Sequence, residues 1–170
     1  CFRGIVSIFF LVPLPIFTKN AMSKSLIHTL SPLEIAYVAG IIEAKASINL
    51  MRHKNFVTPA IEFHHKNINY LHLVSQMLGG TVYIAKPPNR NKKWIIKGQL
   101  AIDILTTIQP YCIVFSPLID VLIEYQTWYL NRTKFKGLGD VHQRQTIDSY
   151  IKKVKDFKAN VEMAKVSNRP

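Results

Sequence analysis

The basic residues of this sequence are its main candidates for binding a ligand, and they are unevenly distributed along the chain. The chain carries 22 Lys and Arg residues against 10 Asp and Glu residues, for a formal net charge of +12. Residues 98–131 contain no basic residue, whereas residues 132–170 contain ten and residues 44–97 contain nine beside one acid, Glu62. The nine are Lys45, Arg52, Lys54, Lys66, Lys86, Arg90, Lys92, Lys93 and Lys97. Segregated positive charge indicates a surface that binds a polyanion, most often the phosphates of nucleic acid; a merely soluble basic surface is the alternative.

Histidine and cysteine give no sign of a metal site or a disulfide framework. His64 and His65 are adjacent on a predicted strand, so their side chains point to opposite faces and do not chelate one ion together. The remaining histidines lack metal-ligand spacing; they are His28, His53, His72 and His142. The two cysteines, Cys1 and Cys112, favour a reducing compartment. We expect neither a zinc site nor a cofactor.

Residues 1–30 form an apolar and basic tail. Gly4 to Phe17 is an apolar stretch interrupted by Pro13 and Pro15, and it is shorter than the roughly 18 to 20 residues that span a bilayer. No acid occurs before Glu34, a bias typical of organelle-targeting leaders, although this tail is more hydrophobic than most of them. We interpret it as a leader remnant or a docking tail and expect a location in the mitochondrial (organellar) matrix. Contact with a membrane stays open.

The hydrophobic periodicity predicts an α+β domain over residues 31–131. Ser31 and Glu34 match a capping box with Pro32 at the first helical position, so a helix is expected from Leu33 to about Ala44. The elements predicted after it are strands at Ser47–His53 and Val57–His65, a helix at Ile68–Leu78, strands at Thr81–Lys86 and Lys93–Lys97, and helices at Gln99–Ile108 and Pro117–Asn131. This order predicts one antiparallel four-stranded sheet with one face on helices and the other free for solvent or a ligand. A basic amphipathic helix, Thr146 to about Ala164, is expected in a C-terminal extension, residues 132–170.

The first predicted helix is apolar nearly all round, so we expect it to be buried on more than one side. Gly40 lies in its middle, where glycine costs about 1 kcal/mol relative to alanine. The usual reason for adjacent small residues such as Ala39 and Gly40 is the close approach of another backbone. Ordinary packing inside one domain is the alternative.

A family resemblance covers about residues 31–131. Residues 37–48, Tyr-Val-Ala-Gly-Ile-Ile-Glu-Ala-Lys-Ala-Ser-Ile, resemble the motif of the LAGLIDADG homing endonucleases, which Ser and an apolar residue usually follow. Asn69 to Gly80 resembles the helix of that family that ends in Gly before its third strand. Thr107 to Tyr111 resembles its short Gln-Pro segment before a long helix. The chain looks like a single-motif member, which implies an αββαββα fold.

The resemblance implies a surface for nucleic acid and a second surface for a protein. The motif helix, with Ala39 and Gly40, would pack against a second copy in a homodimer or against another protein. The curved sheet would straddle the nucleic acid, with Asn49, Met51 and His53 pointing to it. The sugar-phosphate backbone of the nucleic acid would be contacted by Lys66, Lys86, Arg90, Lys92, Lys93 and Lys97.

Aromatic and C-terminal residues extend the predicted interface. Trp94 and Tyr83 are candidates for stacking on unpaired bases, an interaction worth about 1–3 kcal/mol per base. Packing within the sheet is the alternative for both rings. Lys152 and Lys153, in the basic run 152–158, fit either a helix face that contacts phosphates or a simple solvated face.

The departures from the family pattern imply that catalysis has been lost. Where the family has its metal-binding acid and the final Gly, this chain has Lys45 and Ala46. An ammonium group offers only donors and repels a cation that needs carboxylate oxygens. Glu43 does not replace the acid, since two residues along a helix rotate by about 200°. The family also has polar residues near the end of its second strand and a lysine after the Gln-Pro segment. The corresponding residues here are 63–65 (Phe-His-His) and 113–115 (Ile-Val-Phe), and Phe115 cannot stabilise charge. Two-metal cleavage requires that both the attacking and the leaving oxygen are held.

We therefore predict a catalytically inactive, nucleic-acid-binding protein. Lys45 would contact a phosphate where metals once lay, or it is a solvent-exposed residue acquired after catalysis was lost. The lost catalysis, the basic tails and the leader-like start favour RNA over DNA, namely the rRNA of a mitochondrial ribosome, beside other ribosomal proteins. The alternatives are an active DNA endonuclease with atypical residues and a maturase-type factor that binds one intron.

Overall fold

A computed structural model describes residues 27–53, 56–85, 91–132 and 141–167, without the side chains of residues 165 and 166. Residues 1–26 of the predicted tail, and the predicted phosphate contacts Lys86 and Arg90, lie outside these ranges. The helices are α1 (Pro32–Lys45), α2 (Ile68–Leu78), α3 (Gln99–Ile108), α4 (Ser116–Asn131) and α5 (Val141–Ser167). The strands are β1 (Ala46–Arg52), β2 (Val57–His64), β3 (Thr81–Ile84) and β4 (Lys92–Lys97). Short 3-10 turns lie at Ile27–Thr29 and Gln109–Tyr111.

The four strands form one sheet in the order β1-β2-β4-β3, and every neighbouring pair is antiparallel. This confirms the predicted α+β fold with a four-stranded antiparallel sheet. The register defines two faces, because residues directly opposite each other share a face. One face, here called the core face, carries the buried row Ile48, Ile61 and Ile96. The opposite side of the sheet is called the outer face.

The core face is covered by α1, α2 and α3, and α4 packs on α3. Trp94 is the largest buried side chain of this core, and its indole N–H donates to the carbonyl of Gly79 at 2.7 Å. Gly80 follows with a φ of +84°, and a Cβ at this position would lie 2.7 Å from Trp94 Nε1. The Gly79-Gly80 pair that ends α2 therefore lets the chain turn closely against the indole.

Helix α1 begins with the predicted capping box. The Ser31 side chain accepts from the backbone N–H of Glu34, and the Glu34 carboxylate accepts from the Ser31 N–H at 2.7 Å. The Ser31 hydroxyl also donates to the Glu34 carboxylate at 2.7 Å, and this bond, with that of the Ser31 backbone N–H, holds the pKa of Glu34 below its usual value. Within this single chain α1 is buried on one side, because Leu33 is 81% exposed and Tyr37 is 65% exposed; burial of the second side by another chain stays a prediction. One face of the helix packs on the domain and the other is open.

Helix α5 lies beside the sheet and is longer than predicted. It begins five residues before Thr146 and ends at Ser167, since neither proline nor glycine interrupts residues 141–167. Its buried residues join both cores: Val154 belongs to the core under the sheet, while Ile147 and Tyr150 surround Tyr125 in a second, smaller one. The division of the chain between residues 131 and 132 stays a prediction. No helix in the described parts of the chain is long and apolar enough to cross a membrane.

Candidate nucleic-acid interface

The motif helix ends in a carboxylate that is already in use. Glu43 Oε1 accepts from the backbone N–H groups of Val114 at 2.7 Å and of Phe115 at 2.8 Å. Those two groups precede α4, so the negative charge lies at the positive end of that helix dipole. The same charge adds to burial in raising the pKa of the Cys112 thiol to about 11. Glu43 therefore fastens α1 to α4, a role that the sequence did not reveal.

Lys45 is the last residue of α1, and its side chain is exposed. It borders a shallow groove together with Gly40, Phe63 and His65. Among the described residues, no group of three or more His, Cys, Asp or Glu side chains is placed to hold a metal ion. Where the resemblance implies a metal-binding acid, the chain thus has the ammonium group of Lys45, and the nearby carboxylate of Glu43 already accepts two backbone hydrogen bonds. These residues do not fit a divalent metal ion.

The β1 half of the outer face is filled by a lysine from α5. Lys158 Nζ donates to Ser47 Oγ at 3.1 Å and to the side-chain oxygen of Asn49. Burial lowers the pKa of Lys158, and the charge of Glu62 opposes that shift. Asn49 faces outward as the resemblance implied, but its side chain is engaged by Lys158 rather than free for a base. Residue spacing alone gave no signal for this contact, because the two residues are 109 positions apart.

The β3 half of the outer face is more open. His64, Lys93 and Tyr83 form one row across β2, β4 and β3, and Tyr83 is 48% exposed. Lys93 makes an ion pair with Glu62 at 2.8 Å. Lys97 lies on the same face of β4 and is exposed. This half combines an exposed ring with two ammonium groups.

The prediction that Trp94 stacks on a base is wrong. Its side chain lies on the core face, is 1% exposed, and its donor is satisfied by Gly79. The sequence Lys-Lys-Trp-Ile-Ile-Lys of β4 has three apolar residues in succession, so alternation did not decide which of them faces the core. Tyr83, the other candidate for stacking, stays available.

Four further candidates lie at the ends of β2 and β1. Lys66 and Lys92 border a polar pocket at the end of β2, with His64 and His65, and Lys92 Nζ donates to the Lys66 carbonyl at 3.2 Å. Met51 is half-buried on the outer face of β1. His53 stacks on Phe56 beyond the end of that strand, with ring centroids 4.7 Å apart.

Lys152 and Lys153 are exposed on α5 but do not share the face of Lys158. At 100° per residue they lie roughly 120° to 140° around the helix from it. Lys153 is 3.5 Å from Glu124 and lies over the ring of Tyr150 at 4.9 Å. The predicted phosphate-contacting face of this helix is therefore separate from the outer face of the sheet.

Ala39 and Gly40, predicted as one packing surface, point in different directions. Ala39 is fully buried in the core of its own domain, which is the alternative that sequence analysis left open. Gly40 is exposed and a Cβ there would meet nothing within 4 Å. With Leu33, Tyr37 and Ala44 it forms an exposed stripe at helical spacing, here called the α1 stripe.

Comparison with solved structures identifies the fold. No protein family model and no curated protein matches the sequence. Among solved structures, the homing endonuclease I-CvuI in complex with its target in the presence of calcium is 18% identical, with a TM-score of 0.60, covering 74% of this chain and 82% of that one. I-CvuI in complex with the I-CreI target, in a structure whose DNA is not cleaved, is 19% identical with a TM-score of 0.50, covering 58% and 69%.

A third solved structure is the archaeal intron-encoded homing endonuclease I-Vdi141I in complex with DNA. It is 13% identical, with a TM-score of 0.51, and the alignment covers 75% of this chain and 98% of that one. Identities this low establish a shared fold and leave chemistry to the residues themselves. The structural neighbours are LAGLIDADG homing endonucleases, and this chain has the homing-endonuclease fold that its motif predicted.

Proposed function

We propose that this protein binds nucleic acid on a homing-endonuclease scaffold and does not cleave it. The observation that carries the proposal is the pair of residues at the end of α1: Glu43 is bonded to the start of α4, and Lys45 stands where the resemblance implies a metal ligand. A divalent ion about 4 Å from an ammonium is repelled by about 2 kcal/mol even in bulk water. Moving Glu43 to a metal would leave two backbone N–H groups of the α4 start without their acceptor.

The nucleic-acid partner is supported by charge and by the outer face. The net charge of +12 favours a polyanion, and Lys93 and Lys97 lie on the face of the sheet that is free of helices α1 to α3. The solved structure of I-CvuI holds this endonuclease in complex with its target, and I-Vdi141I is complexed with DNA. The shared fold and these basic residues support nucleic-acid binding by this chain.

The proposed partner is RNA, specifically the rRNA of a mitochondrial ribosome in the organellar matrix. A static structural protein needs phosphate contacts and no metal, which agrees with the Lys45 position. The α1 stripe, with Leu33 and Tyr37 open to solvent, supports a protein neighbour, either another ribosomal protein or a second copy of this chain. Residues of both tails add to the basic character.

Cleavage is tested with the purified full chain, magnesium and duplex DNA that carries many sequences. We expect no cleavage, and magnesium-dependent cut ends would overturn the inactive assignment. The double variant Lys45→Asp/Ala46→Gly restores the motif residues, and we expect it to bind magnesium more tightly than the parent in calorimetry. Lys66→Asp, the same charge change at another exposed lysine, is the matched control and leaves magnesium affinity unchanged.

The ribosomal assignment is tested by sedimentation of a native organellar extract with and without ribonuclease. We expect the protein to migrate with a ribosomal subunit and to leave that position after ribonuclease treatment. Migration as a small species that ribonuclease does not alter would overturn it.

A maturase-type role is the second candidate, and it is favoured by the likeness to I-Vdi141I, an intron-encoded homing endonuclease. Depletion of the protein separates the two. Loss of splicing of one intron would support the maturase, whereas a general loss of organellar translation supports the ribosomal component.

A further inference from the structure

The outer face of the sheet is divided into an occupied half and an open half. On the β1 side, α5 inserts Lys158 against Ser47 and Asn49. Ser47 is the cross-strand partner of Glu62, so the lysine, the serine and the carboxylate lie in adjoining positions. On the β3 side, no described helix makes such an insertion, and the strand presents Thr81 and Tyr83 outward.

The open half presents a ring beside a cation, with a second cation further along β4. Tyr83 lies directly opposite Lys93, and that pair has His64 as its neighbour on β2. Lys97 lies four residues from Lys93 on the same face of β4, a separation of about 13 Å along the strand. Ile95 lies between the two lysines and is 4% exposed, so the side chains around it, rather than Ile95 itself, form the surface between the lysines.

Lys93 can contact a phosphate without leaving Glu62, its present partner, far from any cation. Lys93 is bonded to Glu62 at 2.8 Å, and Glu62 also lies within the electrostatic reach of Lys158. When Lys93 turns to a phosphate, Glu62 keeps a cation beside it. The insertion of α5 therefore compensates the acid of the outer face.

The dimensions favour an unpaired strand. Two adjacent strands, β4 and β3, offer a platform about 5 to 10 Å wide at the usual spacing of strands. Side chains do not read the deep, narrow major groove of an RNA duplex. A tyrosine ring reaches a base face only where the base is unstacked, and rings beside lysines bind single strands in this way.

We propose that the β4–β3 half of the outer face binds unpaired RNA, with Tyr83 stacking on a base and Lys93 and Lys97 contacting flanking phosphates. The proposal rests on the proposed nucleic-acid function and adds which half of the sheet is used and which form of RNA is bound. Charge complementarity commits it to an anionic strand, because Glu62, the acid on this face among the described strands, is already paired.

The test uses fluorescence anisotropy of the full chain with a labelled single-stranded RNA of about twelve nucleotides, within the ~4 to 16 nucleotides typical of such sites. The same strand annealed to complementary RNA, and a DNA duplex of the same sequence, are the competing probes. We expect the single strand to bind most tightly. Preference for the RNA duplex would overturn the inference and leave the proposed function standing. Preference for the DNA duplex would overturn the inference and the proposed RNA partner, and binding to none of the probes would overturn nucleic-acid binding as a whole.

Variants locate the site. Tyr83→Ala is expected to weaken single-strand binding by about 5- to 150-fold, the loss of one stacked base, while Tyr83→Phe keeps the affinity. Tyr111→Ala, at an exposed tyrosine outside the sheet, is the matched control and changes nothing. Lys97→Gln is expected to reduce the slope of log affinity against log salt by about 0.7. Unchanged affinity in Tyr83→Ala together with an unchanged slope in Lys97→Gln would overturn the placement on this half.

Discussion

Strand β1 forms one edge of the sheet and strand β3 forms the other, and α5 lies beside the β1 edge. Beside β1, side chains from α4 and α5 are buried and polar groups are paired, as with Tyr125 and Lys158. Beside β3, Tyr83 and Ile84 are exposed. The difference indicates that the β1 side stabilises the fold and that the β3 side is exposed for a ligand. Substitutions on the β1 side should therefore lower the free energy of unfolding, and substitutions on the β3 side should lower the affinity for RNA.

The largest contrast is expected between two tyrosines. Tyr125 is fully buried on the β1 side, where it contacts Trp128, Tyr129 and Tyr150 and donates to the Val57 carbonyl at 2.8 Å. Tyr125→Ala should lower the free energy of unfolding by about 3–5 kcal/mol. Urea denaturation of this variant beside the parent chain measures the loss.

The matched substitution on the other side is Tyr83→Ala, which should change the free energy of unfolding by no more than about 0.5 kcal/mol. Tyr125→Phe, which removes only the hydroxyl bond, should lose about 1 kcal/mol. Equal losses in the two alanine variants would break the comparison between the edges.

The next effect is a pH dependence in the core under the sheet, to which Cys112 belongs. Burial, aided by the Glu43 charge, raises the pKa of Cys112 from 9.0 to about 11. The folded chain then holds a proton that the unfolded chain releases, so this contribution is fully present below pH 9 and is lost as the pH rises through 11. The total is about 3 kcal/mol. Unfolding free energies at pH 8 and pH 11, compared with those of Cys112→Ala, should show that the parent loses more.

Glu43 sharpens the comparison at the joint between α1 and α4. Glu43→Ala leaves the N–H groups of Val114 and Phe115 without their acceptor and should cost about 1.5–3 kcal/mol. Glu43→Gln keeps one acceptor oxygen and should cost less. Thermal unfolding orders the variants, and an alanine variant as stable as the parent would contradict the assigned role of Glu43.

The smallest effect is expected at the exposed ion pair that joins α5 to β1. Arg52 and Asp148 pair at the surface, with both side chains more than half exposed. Exposed pairs contribute about 0–1 kcal/mol, so Arg52→Ala should barely alter the urea midpoint. A loss as large as that of Tyr125→Ala would show that the ion pair, rather than the buried side chains, holds α5 in place.

Local signals in the sequence were sufficient for most of the fold. Ser31 and Glu34 mark the start of α1, and Gly79-Gly80 marks the end of α2, because each feature depends on neighbours within a few residues. The outward facing of Asn49 was implied by the family resemblance, and the register of β1 agrees with it. The start of α1 and the end of α2 needed only local helix geometry.

The candidate site was harder to predict because its contacts are distant in sequence. The bond from Val114 to Glu43 spans 71 residues, and the contact of Lys158 with Ser47 spans 111. Both depend on where α4 and α5 lie on the domain, which no local pattern specifies. Trp94 was misplaced for a different reason, since an uninterrupted apolar run does not show which residue faces inward.

The position of α5 beside β1 has a consequence during synthesis of the chain. The Arg52 partner on α5 follows 96 residues later, and ribosomes add about 5–20 residues per second. Strand β1 is thus made roughly 5 to 20 seconds before the helix that covers its edge. Uncovered edges of sheets pair readily with other strands, so the nascent chain passes through an interval in which a chaperone, or its proposed RNA, would protect it from aggregation.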